Sequence, residues 1–145
     1  MRAVVDANTW VAALMRHGGA PTQVLDAFME GRFALVSSEP ILAELLTIHR
    51  RPRLARLCAV GPEDVAAMVA YLRERAVMVS ATGEHALCRD QDDNKLIEAA
   101  IRGHAPAIVT RDGDLHDEKL AAKLRPFGIR VLYPHELLQL VRMPA

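Results

Sequence analysis

Residues 1–14 run M-R-A-V-V-D-A-N-T-W-V-A-A-L. Ala3, Val4 and Val5 form a short apolar run, and a carboxylate, Asp6, follows it directly. A continuous apolar run without alternation reads as a strand covered on both faces. From Thr9 the apolar spacing becomes that of a helix reaching Arg16, which Gly18-Gly19 breaks. Strand, acid, helix is thus the first unit, and the alternation repeats outward along the chain. Phe33–Val36, Ala76–Val79, Ala107–Thr110 and Ile129–Leu132 are further short strand-like runs. Helical spacing fills Pro21–Gly31, Ser38 to about Arg50, Pro62–Arg75, Asp92–Arg102, Glu118–Leu124 and a last stretch from Pro134. A short helix is also expected before Gly61-Pro62. Ser38 is a helix-capping residue type, and Pro40 suits a first turn, where its missing N–H costs little. Strands alternating with helices predict an α/β domain with a mostly parallel five-stranded sheet flanked by helices. The site of such a sheet lies outside the carboxyl ends of its strands, near a topological switch point.

The composition bounds the rest. A chain of 145 residues, 51% apolar, is long enough to bury a core as one domain, residues 1–145. Eighteen bases balance eighteen acids, which argues against a uniformly basic coat for nucleic acid or anionic membrane. The charge is nevertheless polarised. Residues 84–118 carry nine acids against Arg89, Lys95, Arg102 and Arg111, a net −5 that leaves +5 elsewhere. The longest apolar run, Val65–Leu72, is far short of the roughly 20 residues of a membrane span. Asp6 interrupts the opening apolar stretch, so no signal peptide is expected. Cys58 and Cys88 have no metal-binding spacing and read as reduced thiols of a cytoplasmic protein. At 4% Phe, Trp and Tyr, the chain is poor in rings for modules that stack bases on aromatic platforms.

Acids gather where strands end. Asp6 closes the first strand, and Asp112 and Asp114 follow the fourth. Asp90, Asp92 and Asp93 open the helix after the third strand, and Glu44 rides the helix after the second. Each has an ordinary explanation: a cap for Asp6, the helix dipole for Asp92 and Asp93, an Asp-Gly turn for Asp112 and Asp114, a surface position for Glu44. Together, at one edge of a parallel sheet, they repel unless a cation neutralises them. Oxygen ligands alone suit magnesium or manganese, which polarises a phosphate and acidifies a bound water. By helical angle Glu44 sits at the edge of the stripe Ile41, Leu45, Ile48 and is expected to be half-buried.

Four stretches resemble the acidic motifs of the PIN-domain ribonucleases: the opening fourteen residues, S-S-E-P-I-L-A-E-L, D-Q-D-D-N-K-L-I-E-A-A and A-I-V-T-R-D-G-D-L. Their order and spacing cover Met1 to about Pro134. The bacterial VapC-like branch, toxins of toxin–antitoxin systems, is the most similar. The resemblance implies a PIN-like three-layer sandwich and a Mg2+- or Mn2+-dependent endoribonuclease. It implies Asp6, Glu44, Asp93 and Asp112 as catalytic acids. Asp6, Asp93, Asp112 and Asp114 would be metal ligands, and Asn8, Thr110 and Asp90 supporting polar groups. Lys95 receives no role. An antitoxin protein is the implied partner, beside an RNA substrate.

The basic run His49-Arg50-Arg51-Pro52-Arg53, with Arg56, suits RNA phosphates as well as it suits a helix end. Arg111, beside Asp112, is a further RNA-contact candidate. The stripes Val65–Leu72 and Pro21–Phe28 fit either core packing or a homodimer. Two other enzyme classes fit less well. An aspartate-nucleophile phosphatase wants an acid where Asn8 stands, and a receiver domain wants an acidic pair after the first strand. A catalytically silent PIN-like binding module remains the alternative that differs in chemistry.

Overall fold

The computed structural model describes residues 1–15, 18–48, 60–83 and 91–142. Its strands are β1 (Arg2–Val5), β2 (Ala34–Ser37), β3 (Val77–Met78), β4 (Ala107–Val109) and β5 (Arg130–Leu132). Its α-helices are α1 (Ala7–Met15), α2 (Ala20–Met29), α3 (Glu39–Ile48), α4 (Pro62–Arg75), α5 (Gln91–Arg102), α6 (Glu118–Leu124) and α7 (Pro134–Leu140). Each of the five expected strands is present. Two 3-10 turns, Gly113–Leu115 and Arg125–Phe127, were not foreseen. The short helix expected before Gly61 lies outside the described residues.

All strand pairs are parallel, in the order β3-β2-β1-β4-β5. The chain builds β1, β2 and β3 outward in one direction. It then crosses back to lay β4 and β5 on the other side of β1. The direction of winding therefore reverses between β1 and β4, whose register pairs Val5 with Val109. That makes the carboxyl ends of β1 and β4 the switch point.

Side chains of a strand alternate between faces, so β1 feeds both layers of core. Ala3 and Val5 join Trp10, Val24, Phe28, Leu45, Leu72 and Leu137, from α1, α2, α3, α4 and α7. Val4 points the other way, to Val36, Ile97, Ile108 and Leu124, under α5 and α6. The result is a three-layer α/β/α sandwich. The stripes weighed for a homodimer are used inside it: Val24 and Phe28 of α2, and Val65, Met68, Val69 and Leu72 of α4, are all buried in the first core.

Helix starts follow local chemistry, with one correction. Pro21, Pro62 and Pro134 stand in first turns. The carboxylates of Asp64 and Glu136 accept from the N–H groups of Gly61 (3.0 Å) and Tyr133 (2.9 Å). Ser38 does precede α3, and its carbonyl takes the first helical bond, from Leu42 N–H. Its hydroxyl, however, is buried and makes no cap bond. The position was legible and the capping role is absent.

One close approach fixes the seating of α5 on the sheet. A Cβ on Gly103 would run into Val36 Cγ1, in the middle of β2. The Gly103 carbonyl also accepts from Arg2 Nη1 at 2.8 Å, tying the end of α5 to the start of β1. Gly103→Ala is expected to lower stability by about 1–3 kcal/mol, the usual cost of overpacking. A urea unfolding curve checks it, and an unchanged midpoint contradicts the close fit.

Candidate active site

Asp6 leaves β1 and becomes the residue before α1. Its N–H still donates to the Val109 carbonyl (3.1 Å), extending the β1–β4 ladder by one bond. Its Oδ1 accepts from Thr9 N–H at 2.9 Å and from the Thr9 hydroxyl. Its Oδ2 accepts from the Thr110 hydroxyl at 2.6 Å. The capping explanation of Asp6 is thus correct and incomplete. The carboxylate caps α1 while lying at the switch point, only 6% exposed.

Thr110 joins the two acids of this edge. Its hydroxyl spends its one proton on Asp6 and accepts from Asp112 N–H at 3.1 Å. Asp112 Oδ1 in turn accepts from Asp114 N–H at 3.0 Å, closing the turn into Gly113–Leu115. The Thr110 carbonyl bonds His116 Nε2 at 2.9 Å. Asp112 and Asp114 themselves are exposed. Asp6, Asn8, Arg111 and Asp112 form the polar wall of a cavity of about 450 Å³, and Val11, Ala12 and Met15 of α1 form its apolar wall.

Glu44 enters from α3, half-buried as its helical angle predicts, with 22% of its side chain exposed. It lies close enough to Asp6 to raise the pKa of that carboxyl. Its Oε2 meets Lys95 Nζ of α5 at 2.5 Å. Lys95 had no role in the sequence reading. The signal available was its place as one of four bases in the acidic window 84–118. Thr9 was missed as well, although a hydroxyl three residues after a capping acid is well placed to bond it.

Asp93 stands half-buried in the first turn of α5, two residues before Lys95. Asp90, Arg50, Arg51, Arg53, His49, Arg56 and Arg16 lie outside the described residues. Among the described residues no three His, Cys, Asp or Glu side chains form a group that holds an ion as placed. Asp6, Thr110 and Asp112 are joined by hydrogen bonds, Asp114 by its N–H to Asp112, and Glu44 by its field, while Asp93 stands on α5 near Lys95, the partner of Glu44.

The electrostatics centre on Asp6. Burial raises its carboxyl pKa above the ordinary 3.8, and the Glu44 charge adds to the rise. The bonds from Thr110 and Thr9 pull the other way without cancelling it. Since the folded chain holds the proton more tightly, it binds more protons than the unfolded chain between 3.8 and the raised value. Stability therefore falls as pH rises through that window and is level above it. Asp6→Asn removes this dependence. In divalent-free buffer, the urea midpoint of the variant minus that of wild type is expected to grow across the window. A pH-independent difference contradicts the buried-charge account.

The PIN domain family matches residues 2–114 of the chain. A relative in Methanocaldococcus jannaschii, "Uncharacterized protein MJ1680", is 28% identical over 143 residues, 96% of this chain and 90% of that protein. Among solved structures, a chain of VapBC2 from Rickettsia felis, crystallised bound to a DNA fragment from their promoter, has the same fold. The TM-score is 0.59 at 15% identity, over 92% of this chain and 98% of that one. The family match spans β1, the Glu44 helix and the Asp112–Asp114 turn. With its acids at the switch point of an all-parallel sheet, the chain belongs to the PIN-domain family, whose members are in general nucleases using divalent metals.

Proposed function

We propose that the chain is a Mg2+- or Mn2+-dependent endoribonuclease, the toxin of a toxin–antitoxin pair. The observation that carries the reading is the buried Asp6 carboxylate, bonded among the described residues by neutral hydroxyl and amide donors and facing the charge of Glu44. Carboxylates so placed are short of positive charge. The donor chemistry fits a hard divalent cation: the acids at this edge offer oxygen alone. The buried hydroxyls of Ser37 and Ser38, which lack a hydrogen-bond partner among the described residues, stand at the end of β2 beside this site. The β1–β2 register, carried two residues on, sets Ser38 opposite Asp6.

Asp6, Asp93, Asp112 and Asp114 would hold the ion, with Asn8, Thr110 and Asp90 supporting them. When bound, the ion supplies charge neutralisation at a phosphodiester and lowers the pKa of a water. The chain's own part is positioning. Thr9 and Thr110 hold the Asp6 carboxylate in one orientation, and Thr110 sets the Asp112 turn relative to it. Glu44 orients the attacking water, and Lys95 holds Glu44 in place through their ion pair. Arg111, exposed at the cavity wall, faces incoming phosphate. Arg50, Arg51 and Arg53 would extend that contact along the strand. The fold shared with a chain of VapBC2 supports the toxin reading and a protein antitoxin as partner. Among the described residues no helix is long and apolar enough to cross a membrane.

Asp6→Asn is expected to abolish divalent-dependent RNA cleavage while the protein stays folded. Wild-type activity in that variant, purified free of host nuclease, sinks the assignment. Thr110→Val keeps the shape but loses both hydroxyl bonds. It is expected to lower metal affinity or activity by about 10–100-fold, as removal of a ligand's support usually does. Thr110→Ser is expected to retain both, and equal losses in the two variants would show that the hydroxyl is not what matters.

A further inference from the structure

Three rings stand in a row at the edge of the site. His116 and Tyr133 lie face to face, with centroids 3.5 Å apart and planes within 2°. His135 follows Tyr133 at 5.8 Å, its plane tilted by 13°. The row is anchored to the acidic centre. His116 is bonded to the Thr110 carbonyl, and the Thr110 hydroxyl is bonded to Asp6. Tyr133 follows β5 directly, and the last carbonyl of that strand, Leu132, accepts from Thr110 N–H at 3.0 Å. The Tyr133 backbone is fixed again by Glu136 Oε1. His116 and Tyr133 are half-buried, while His135, in the first turn of α7, is exposed.

We propose that His135, at the open end of this stack, is a base-stacking residue for single-stranded RNA entering the acidic site. An exposed ring, tied through Tyr133, His116 and Thr110 to the acidic edge, offers a base what every base presents, its π face. The platform is already ordered by Thr110, the end of β5 and Glu136, so little freedom is lost when a base adds to it. Most of the counted aromatics are spent elsewhere. Trp10, Phe28, Phe33 and Tyr71 pack against one another in the first core. The whole-chain percentage therefore hides a platform made of one tyrosine and two histidines. This inference rests on the ribonuclease reading for its substrate, and its deciding readout, quenching of a bound probe, does not require cleavage.

The test uses the full chain and short RNA carrying 2-aminopurine at successive positions, whose fluorescence is quenched by stacking. Wild type is expected to quench the probe at one position. His135→Ala is expected to lose that quench, and His135→Phe to restore it. In steady-state cleavage His135→Ala is expected to raise KM about fivefold or more with kcat little changed, as for loss of one base–ring stack. Quenching by His135→Ala equal to wild type overturns the proposal, as does cleavage by wild type with no quench at any position. Quenching that depends on His135 in a protein that cleaves no RNA with any divalent metal upholds the platform and refutes the ribonuclease reading instead.

Discussion

A carboxylate is buried where the sheet changes its direction of winding, and the remaining features of the site are arranged around that constraint. A lone buried charge is costly unless it is bonded or paired. Among the described residues, Asp6 is given hydrogen bonds and no direct counterion. Thr9 bonds one oxygen because Asp6 caps α1, and Thr110 bonds the other because β4 lies beside β1. The two hydroxyls orient the charge without neutralising it, and its pKa stays raised. Under the proposed function, a carboxylate held this way is pre-organised for a cation. The same bonds that make it tolerable in the fold also set its geometry for chemistry.

Glu44 shows a second solution to the same problem. Its charge is partly buried too, but Lys95 meets it across the α3–α5 contact. The neighbouring acids therefore stand in different electrical states: Glu44 is paired, and Asp6 is bonded by neutral groups. The sequence itself is polarised in the same way, between the acid-rich window 84–118 and the basic remainder of the chain. Under the proposed function, one would build the cation site together with Asp6 and Glu44, and the other would meet phosphate. A zero net charge conceals this division because it sums over the whole sequence.

Much of this was legible in the sequence wherever the cause is local. The run Ala3-Val4-Val5 ahead of Asp6 specifies a buried strand ending in an acid, and the order of strands and helices specifies a parallel sheet with a switch point. Glu44 is half-buried because it sits at the edge of an apolar helical stripe, and that edge can be counted. What failed depends on contacts between distant segments. Lys95 reaches Glu44 only because α5 packs beside α3. Thr110 reaches Asp6 only in the β1–β4 register. The His116–Tyr133 stack forms because β5 carries Tyr133 to the edge where His116 is bonded to Thr110. The hydroxyl of Ser38 is a different failure. Its residue type suggests a cap, but its side chain is buried without making that bond. A resemblance by motif supplied the acids in order, and no sequence pattern announces which of them is paired.

One carboxyl group, that of Asp6, decides between a charge held for a cation and an ordinary buried cap. The Asp6 side-chain carbon, assigned by its absence in Asp6→Asn, is followed by 13C NMR across pH, first without divalent ions and then with Mg2+. The midpoint should lie above 3.8 without the ion and drop when it is added. An ordinary midpoint, or a raised one that Mg2+ leaves in place, would contradict the claim that this buried charge is held for a cation.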